Sequence, residues 1–154
     1  MLLALTQRDR PPVGVCLAAA HLLLRTAGMP RVLAIMAGAT AAHNFSRISD
    51  AVHVRHAILR AKRAHPGWCT CLELAIIGYL VAVRNGIDAR FVVGVKTFDF
   101  GMHAWVETNH SAWIGGEDDD TTRYVPVLIL DRAGGIRSAH GLSHRFADRE
   151  DVNP

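Results

Sequence analysis

A chain of 154 residues, half of them hydrophobic and a fifth charged, suits one globular domain and excludes a disordered or low-complexity protein. The net charge of +3 is unevenly spread: residues 1–100 hold 12 Lys/Arg against 5 Asp/Glu, a balance of +7, whereas residues 101–154 hold 5 against 9, a balance of −4. A basic body can draw an acidic peptide or a nucleic acid through its field, but such a surplus more often marks solvated helix faces.

The N-terminus opens on Met1-Leu2-Leu3-Ala4-Leu5, which Arg8, Asp9 and Arg10 interrupt. The next apolar stretch, residues 13–24, contains His21 and falls short of the ~20 residues a spanning helix needs. No clear small-residue cleavage site follows it. It reads as a buried helix, and membrane contact is not expected. The pattern predicts a helix over 13–27, ended by Gly28 and Pro30, and a short one over 31–37, closed by Gly38. Residues 44–49 form a connection, and Ser49 or Asp50 caps a helix over Ala51–Ala64. Its apolar positions, including Val52, Val54 and Ile58, lie toward one side, and Arg55, Arg60, Lys62 and Arg63 largely toward the other.

His65-Pro66-Gly67 breaks that helix. The segment Cys71–Arg84 is apolar nearly all round, which predicts the central buried helix, stopped by Asn85-Gly86. Strands follow at Arg90–Lys96, residues 103–108, Ser111–Ile114 and residues 124–130. A turn at Asn109-His110 joins the second and third, and the acidic run from Glu117 to Asp120 follows Gly115-Gly116. Beyond Asp131 the chain is polar, and a frayed tail is expected. This gives one domain over residues 1–131, with a helical part over 1–47 and a polar tail over 132–154. Helices first and an antiparallel meander after them is an α+β architecture.

Three cysteines, Cys16, Cys69 and Cys71, make a poor disulfide framework and suit reduced thiols in a cytoplasm. A catalytic cysteine needs a lowered thiol pKa, a base nearby and donors for a developing oxyanion. Cys71 heads the buried helix, where free N–H groups and the helix dipole favour a thiolate. His103 begins a strand that can hold an imidazole beside it. A carboxylate or amide on the next strand would fix the imidazole tautomer; a backbone carbonyl or a water is the alternative. Position at the helix start leaves Cys69 and Cys71 hard to separate. Cys-x-Cys spacing is poor for zinc. Gly115-Gly116 lacks the Lys and Ser/Thr of a phosphate loop, so no cofactor is expected. Trp105 and Trp113 are expected in the core or under the site, and Trp68 in a substrate groove or in packing.

Three segments carry a resemblance: Cys71-Leu72-Glu73-Leu74-Ala75, then the run from Gly86-Ile87 through Val92-Val93-Gly94-Val95, then His103-Ala104-Trp105-Val106-Glu107. Over roughly residues 50–130 the chain resembles the stand-alone, transglutaminase-like leader peptidases of lasso-peptide biosynthesis. The resemblance implies a papain/transglutaminase-like core with Cys71 as nucleophile, selected over Cys69 by the spacing to Gly86 and His103, and His103 as base. It also implies cleavage of a leader from a ribosomally made precursor peptide. A small leader-binding protein assists, and a separate ATP-dependent cyclase closes the freed core. Many relatives place an Asp just after the hairpin, where this chain has Gly115 and Gly116. Asp118 is the expected third member, with Glu117, Asp119 and Asp120 as rivals. Two other readings stand beside this one: acyl transfer to an amine, and a non-enzymatic domain that binds peptide or nucleic acid through Arg55–Arg63. Nucleic acid is not the expected partner.

Overall fold

The computed structural model of the chain describes residues 13–41, 50–64, 69–109, 111–116 and 120–138. Three helices come first: α1 (Val13–Ala41), α2 (Ala51–Ala64) and α3 (Cys71–Arg84). The strands are β1 (Arg90–Lys96), β2 (Gly101–Thr108), β3 (Ser111–Ile114), β4 (Val125–Leu130) and β5 (Ile136–Ser138), with a single 3-10 turn at Thr121–Arg123. They form one antiparallel sheet in the order β3-β2-β1-β4-β5. The α+β class and the helical N-terminal half agree with the expectation from sequence.

The break at Gly28 is where the sequence places it. Its φ of 74° and ψ of 166° interrupt α1, a backbone state that costs glycine little. Pro30 lies in the first turn of the second half, where its missing N–H costs no helical bond. Gly38 does not end this half, which continues to Ala41. The apolar run is therefore longer than expected, and over Val13–Ala39 its length and mean hydropathy of 1.4 would suffice to cross a membrane. Gly28 divides it, however, into pieces each shorter than the ~20 residues a continuous span requires. Both pieces enter the core: Leu17 and Ala20 from the first, Val32, Leu33 and Met36 from the second.

Helix α3 is buried from Glu73 through Tyr79 and again at Ala82 and Val83. It lies against the sheet face built by Phe91, Val93, Ala104, Val106, Ile114 and Leu130. Gly78 permits this closeness, since a Cβ there would stand 3.1 Å from Ile114 and 3.3 Å from Val106. Strand alternation sends Val92, Trp105 and Ile129 to the opposite face, where they join Tyr124 in a second, smaller cluster. Trp113 belongs to the main core and Trp105 to this second cluster.

One element departs from the expectation of a frayed segment after Asp131. There Asp131 Oδ1 accepts the N–H groups of Ala133 at 3.0 Å and Gly135 at 2.9 Å, and the Gly134 N–H bonds the Asp131 carbonyl. This side-chain-supported turn reverses the chain, so Ile136–Ser138 pairs with β4 as an edge strand. Residues 139–154 lie outside the described residues.

Gly94 carries the second cluster: a Cβ there would lie 2.8 Å from the Trp105 ring and 2.9 Å from Tyr124 Cβ. Gly94→Ala should therefore destabilise the fold by about 1–3 kcal/mol through overpacking. A thermal melt checks this, and an unchanged Tm would contradict the tight approach of the two rings.

Candidate active site

Thr70 and Glu73 set the start of α3. Thr70 is the N-cap; its hydroxyl accepts the Glu73 N–H at 3.4 Å, and Glu73 Oε2 accepts the Thr70 N–H at 2.6 Å and its hydroxyl at 2.9 Å. This reciprocal box fixes Cys71 as the first helical residue. Among the described residues, the N–H groups of Cys71 and Leu72 have no hydrogen-bond acceptor, which leaves two aligned donors beside the sulfur. The other Glu73 oxygen, Oε1, bonds His21 Nδ1 of α1. Glu73 is only 4% exposed. Burial alone would raise its carboxyl pKa, but the Thr70 N–H, the His21 ring and the Thr70 hydroxyl outweigh burial and hold it below the ordinary value. The Thr-x-x-Glu pattern was available in the sequence as a capping signal; His21, far away along the chain, carried no local sign of its role.

The topology brings the head of α3 and the start of β2 to one end of the molecule. The C-terminal end of α3 feeds β1, whose first residue pairs with Glu107 near the end of β2. Helix and strand therefore run in the same general sense, in contact where Gly78 faces Val106. From that point, about 10 Å of helix leads back to Cys71 at about 1.5 Å per residue. About 10 Å of strand leads back to His103 at about 3.3 Å per residue.

His103 is half-buried at the β2 edge. Strand β3 pairs only with Val106, Glu107 and Thr108, so His103 lies beyond its end. The imidazole stacks on Trp105 (centroids 6.0 Å apart, 17° between planes) and packs on Tyr124 at 5.3 Å. Trp105 is held in turn: its indole N–H donates to Glu107 Oε1 at 3.0 Å, and Arg90 bonds Glu107 Oε2 at 2.8 Å. His103 Nε2 meets the Gly115 carbonyl oxygen at 2.5 Å. A carbonyl only accepts, so Nε2 carries the proton and Nδ1 keeps its lone pair free to act as a base. Gly115 can come this close because it has no side chain: at its φ of 85°, a Cβ would lie 3.0 Å from the Ala104 carbonyl.

The two residues share one end of the fold without touching. Trp105 and His103 point to the sheet face away from α3, and among the described residues no hydrogen bond joins His103 to Cys71 Sγ. Bonds of this kind are often long in free enzymes and tighten with substrate. Cys69 precedes the N-cap, and its Sγ faces the Thr70 carbonyl at 3.9 Å. Burial raises its thiol pKa, the Glu73 charge and Cys71 add to this, and Lys62 opposes it. Cys69 is thus a poor candidate for a thiolate nucleophile.

Asp118, expected as the third member, lies outside the described residues, as do Glu117, Asp119 and Trp68. Asp120 caps the 3-10 turn, accepting the Thr122 N–H at 3.1 Å and its hydroxyl at 2.6 Å. The partner that His103 has among the described residues is the backbone of Gly115. Part of the basic α2 face is also structural, for Arg55 donates to the Trp113 carbonyl at 2.8 Å.

A helix headed by a cysteine, laid on an antiparallel sheet with a histidine at the start of its second strand, is the arrangement of the papain-like and transglutaminase-like proteins. The family model described as the transglutaminase-like superfamily matches residues 13–129, and the chain belongs to that superfamily. Its members are typically cysteine peptidases or acyltransferases. No curated protein and no solved structure matches the chain.

The lowered carboxyl pKa of Glu73 gives a signed expectation. A group whose pKa is depressed on folding adds stability above its unfolded value, and that stability is lost as pH falls through the folded value. Glu73→Gln should therefore be less stable than the parent at pH 7. The gap should narrow as the solution is acidified below about pH 4, the ordinary carboxylate range. Chemical denaturation at neutral and acid pH measures both.

Proposed function

We propose that this chain is a cysteine peptidase that removes the leader from a ribosomally made lasso-peptide precursor. The observation that carries the chemistry is the contact of His103 Nε2 with the Gly115 carbonyl, which selects the tautomer. With Nε2–H given to the Gly115 carbonyl, Nδ1 is the atom left to take a proton. In this reading substrate binding closes the gap between His103 and Cys71. His103 takes the thiol proton, and the thiolate adds to the peptide carbonyl carbon. The N–H groups of Cys71 and Leu72 hold the resulting oxyanion. His103 then protonates the leaving amine, which departs as the C–N bond breaks, and water hydrolyses the thioester to free leader acid and thiol. The resemblance of Cys71-Leu72-Glu73 and His103-Ala104-Trp105-Val106-Glu107 to the lasso leader peptidases supports the choice of substrate.

The same reading supplies the partners. The leader region of the precursor is the ligand, a small leader-binding protein presents it, and an ATP-dependent cyclase closes the core on the freed amine. All would act in the cytoplasm. Acyl transfer to an amine shares the first half of this chemistry, and the superfamily match supports it equally. The two part at the thioester, which water or a second amine can resolve.

Supplied with precursor and leader-binding protein, the parent should release free leader acid, read by mass spectrometry, and Cys71→Ala should release none. A leader–amine crosslink in place of free acid would assign the transferase reading. His103→Asn should lower kcat by about 10²- to 10⁴-fold, the usual worth of a positioned base. Full cleavage by Cys71→Ala would sink the proposal.

A further inference from the structure

Beyond the head of α3 the sheet carries an uncovered apolar row. Met102 and Val125 both pair with Val95, one on each side, so the three side chains stand abreast on β2, β1 and β4. The β1–β2 register places Val95 and Met102 on the same face as Val93 and Ala104, the face on which α3 packs. They lie one alternation past those buried positions, where the helix has ended. Met102 is 63% exposed and Val125 58%, and Val95 is half-buried. The hairpin tip adds Phe98 and Phe100, 95% and 80% exposed. The charges at its base answer each other, with Lys96 3.8 Å from Asp99. A contiguous apolar patch of this kind marks a place where something binds.

We infer that this row, with the two phenylalanines, is the substrate subsite that receives apolar side chains next to the scissile bond of an extended peptide. The inference rests on Cys71 being the nucleophile and adds to it a chemical class of substrate. Position argues for the occupant. The row lies on the face that carries α3, toward the end of the sheet at which that helix begins, so a peptide laid along that face toward Cys71 would run over it. Its length fits as well: two interstrand spacings of about 4.8 Å match about three residues of extended chain. The patch is an apolar surface, and the two charges at the hairpin base, Lys96 and Asp99, lie against each other, which suits uncharged, apolar residues over acidic ones.

Two probes test this: fumaramides flanked on both sides by about three residues, leucine in one and the near-isosteric asparagine in the other. The Cys71 thiolate adds to the alkene, a carbon–sulfur bond forms, the neighbouring carbon takes a proton, and nothing leaves. Intact-mass kinetics give the labelling rates, with Cys71→Ala as the control for the site of addition. The parent should react with the leucine probe at least about tenfold faster, the discrimination usual for an apolar pocket. In Phe98→Ser/Phe100→Ser, and separately in Val125→Thr, the ratio should fall toward one. These positions are exposed, and a thermal melt verifies folding for each variant. Equal rates in the parent would overturn the subsite while leaving Cys71 a nucleophile. A ratio unmoved in both variants would overturn its location. A parent that dimerises by light scattering, with the double variant monomeric and the probes equal, would make a second copy the occupant. No labelling of Cys71 by either probe would overturn the peptidase reading, and the subsite with it.

Discussion

The carboxylate of Glu73 is the contact on which the candidate site depends. It is buried at the first turn of α3 and answered on both oxygens, by the Thr70 N–H and hydroxyl on one and by His21 on the other. Each bond does a different task. The Thr70 bonds close the capping box, which fixes where the helix begins and so where Cys71 stands. The His21 bond ties that beginning to α1, whose buried residues Leu17, Ala20, Val32, Leu33 and Met36 join the core through apolar contacts. A buried carboxylate stripped of these partners would cost several kcal/mol; with them, it aligns two helices at the sulfur.

The sheet divides the work between its faces. Ala104 and Val106 pack under α3, while His103, Trp105 and Glu107 point the other way and form a ladder along β2. Arg90 holds Glu107, Glu107 holds the Trp105 indole, and Trp105 supports the imidazole from below. Gly94, paired with His103 on the neighbouring strand, makes room for the Trp105 ring and for Tyr124 Cβ. The His103 ring is thus oriented by packing as well as by its contact with Gly115, and Trp105 and Glu107, which help to do this, lie within a few residues of it on the same strand.

This locality explains how much could be read in advance. Helix α3 was legible because it is apolar on every side, and β1 to β4 because their hydrophobic runs are bounded by turn residues. The position of Cys71 was legible because it heads α3, whereas β2 begins at Gly101, two residues before His103. Three features were not. The His21–Glu73 bond joins elements far apart in sequence, so neither residue carries a local sign of it. Strand β5 is Ile-Arg-Ser, too short to declare itself, and it depends on the Asp131 turn for its register. The partner of His103 was left between Asp118 and a backbone carbonyl or a water; Asp118 lies outside the described residues, and among those described the Gly115 carbonyl meets Nε2. No residue type announces a carbonyl; the clue was the absence of a side chain at Gly115.

A carbonyl and a carboxylate would serve His103 differently. Both groups accept the Nε2 proton and so select the tautomer with Nδ1 free. A carboxylate also brings a full negative charge, which stabilises the imidazolium formed once the thiol has given up its proton. A carbonyl brings only a dipole, strengthened at 2.5 Å and in a partly buried setting but without net charge. In the proposed mechanism the faces of Trp105 and Tyr124, which pack against the ring, would share that task as cation–π partners. The aromatic support beneath His103 would then belong to the proposed acid–base machinery, with Gly94 leaving room for the Trp105 ring and Gly115 for its own carbonyl to come near.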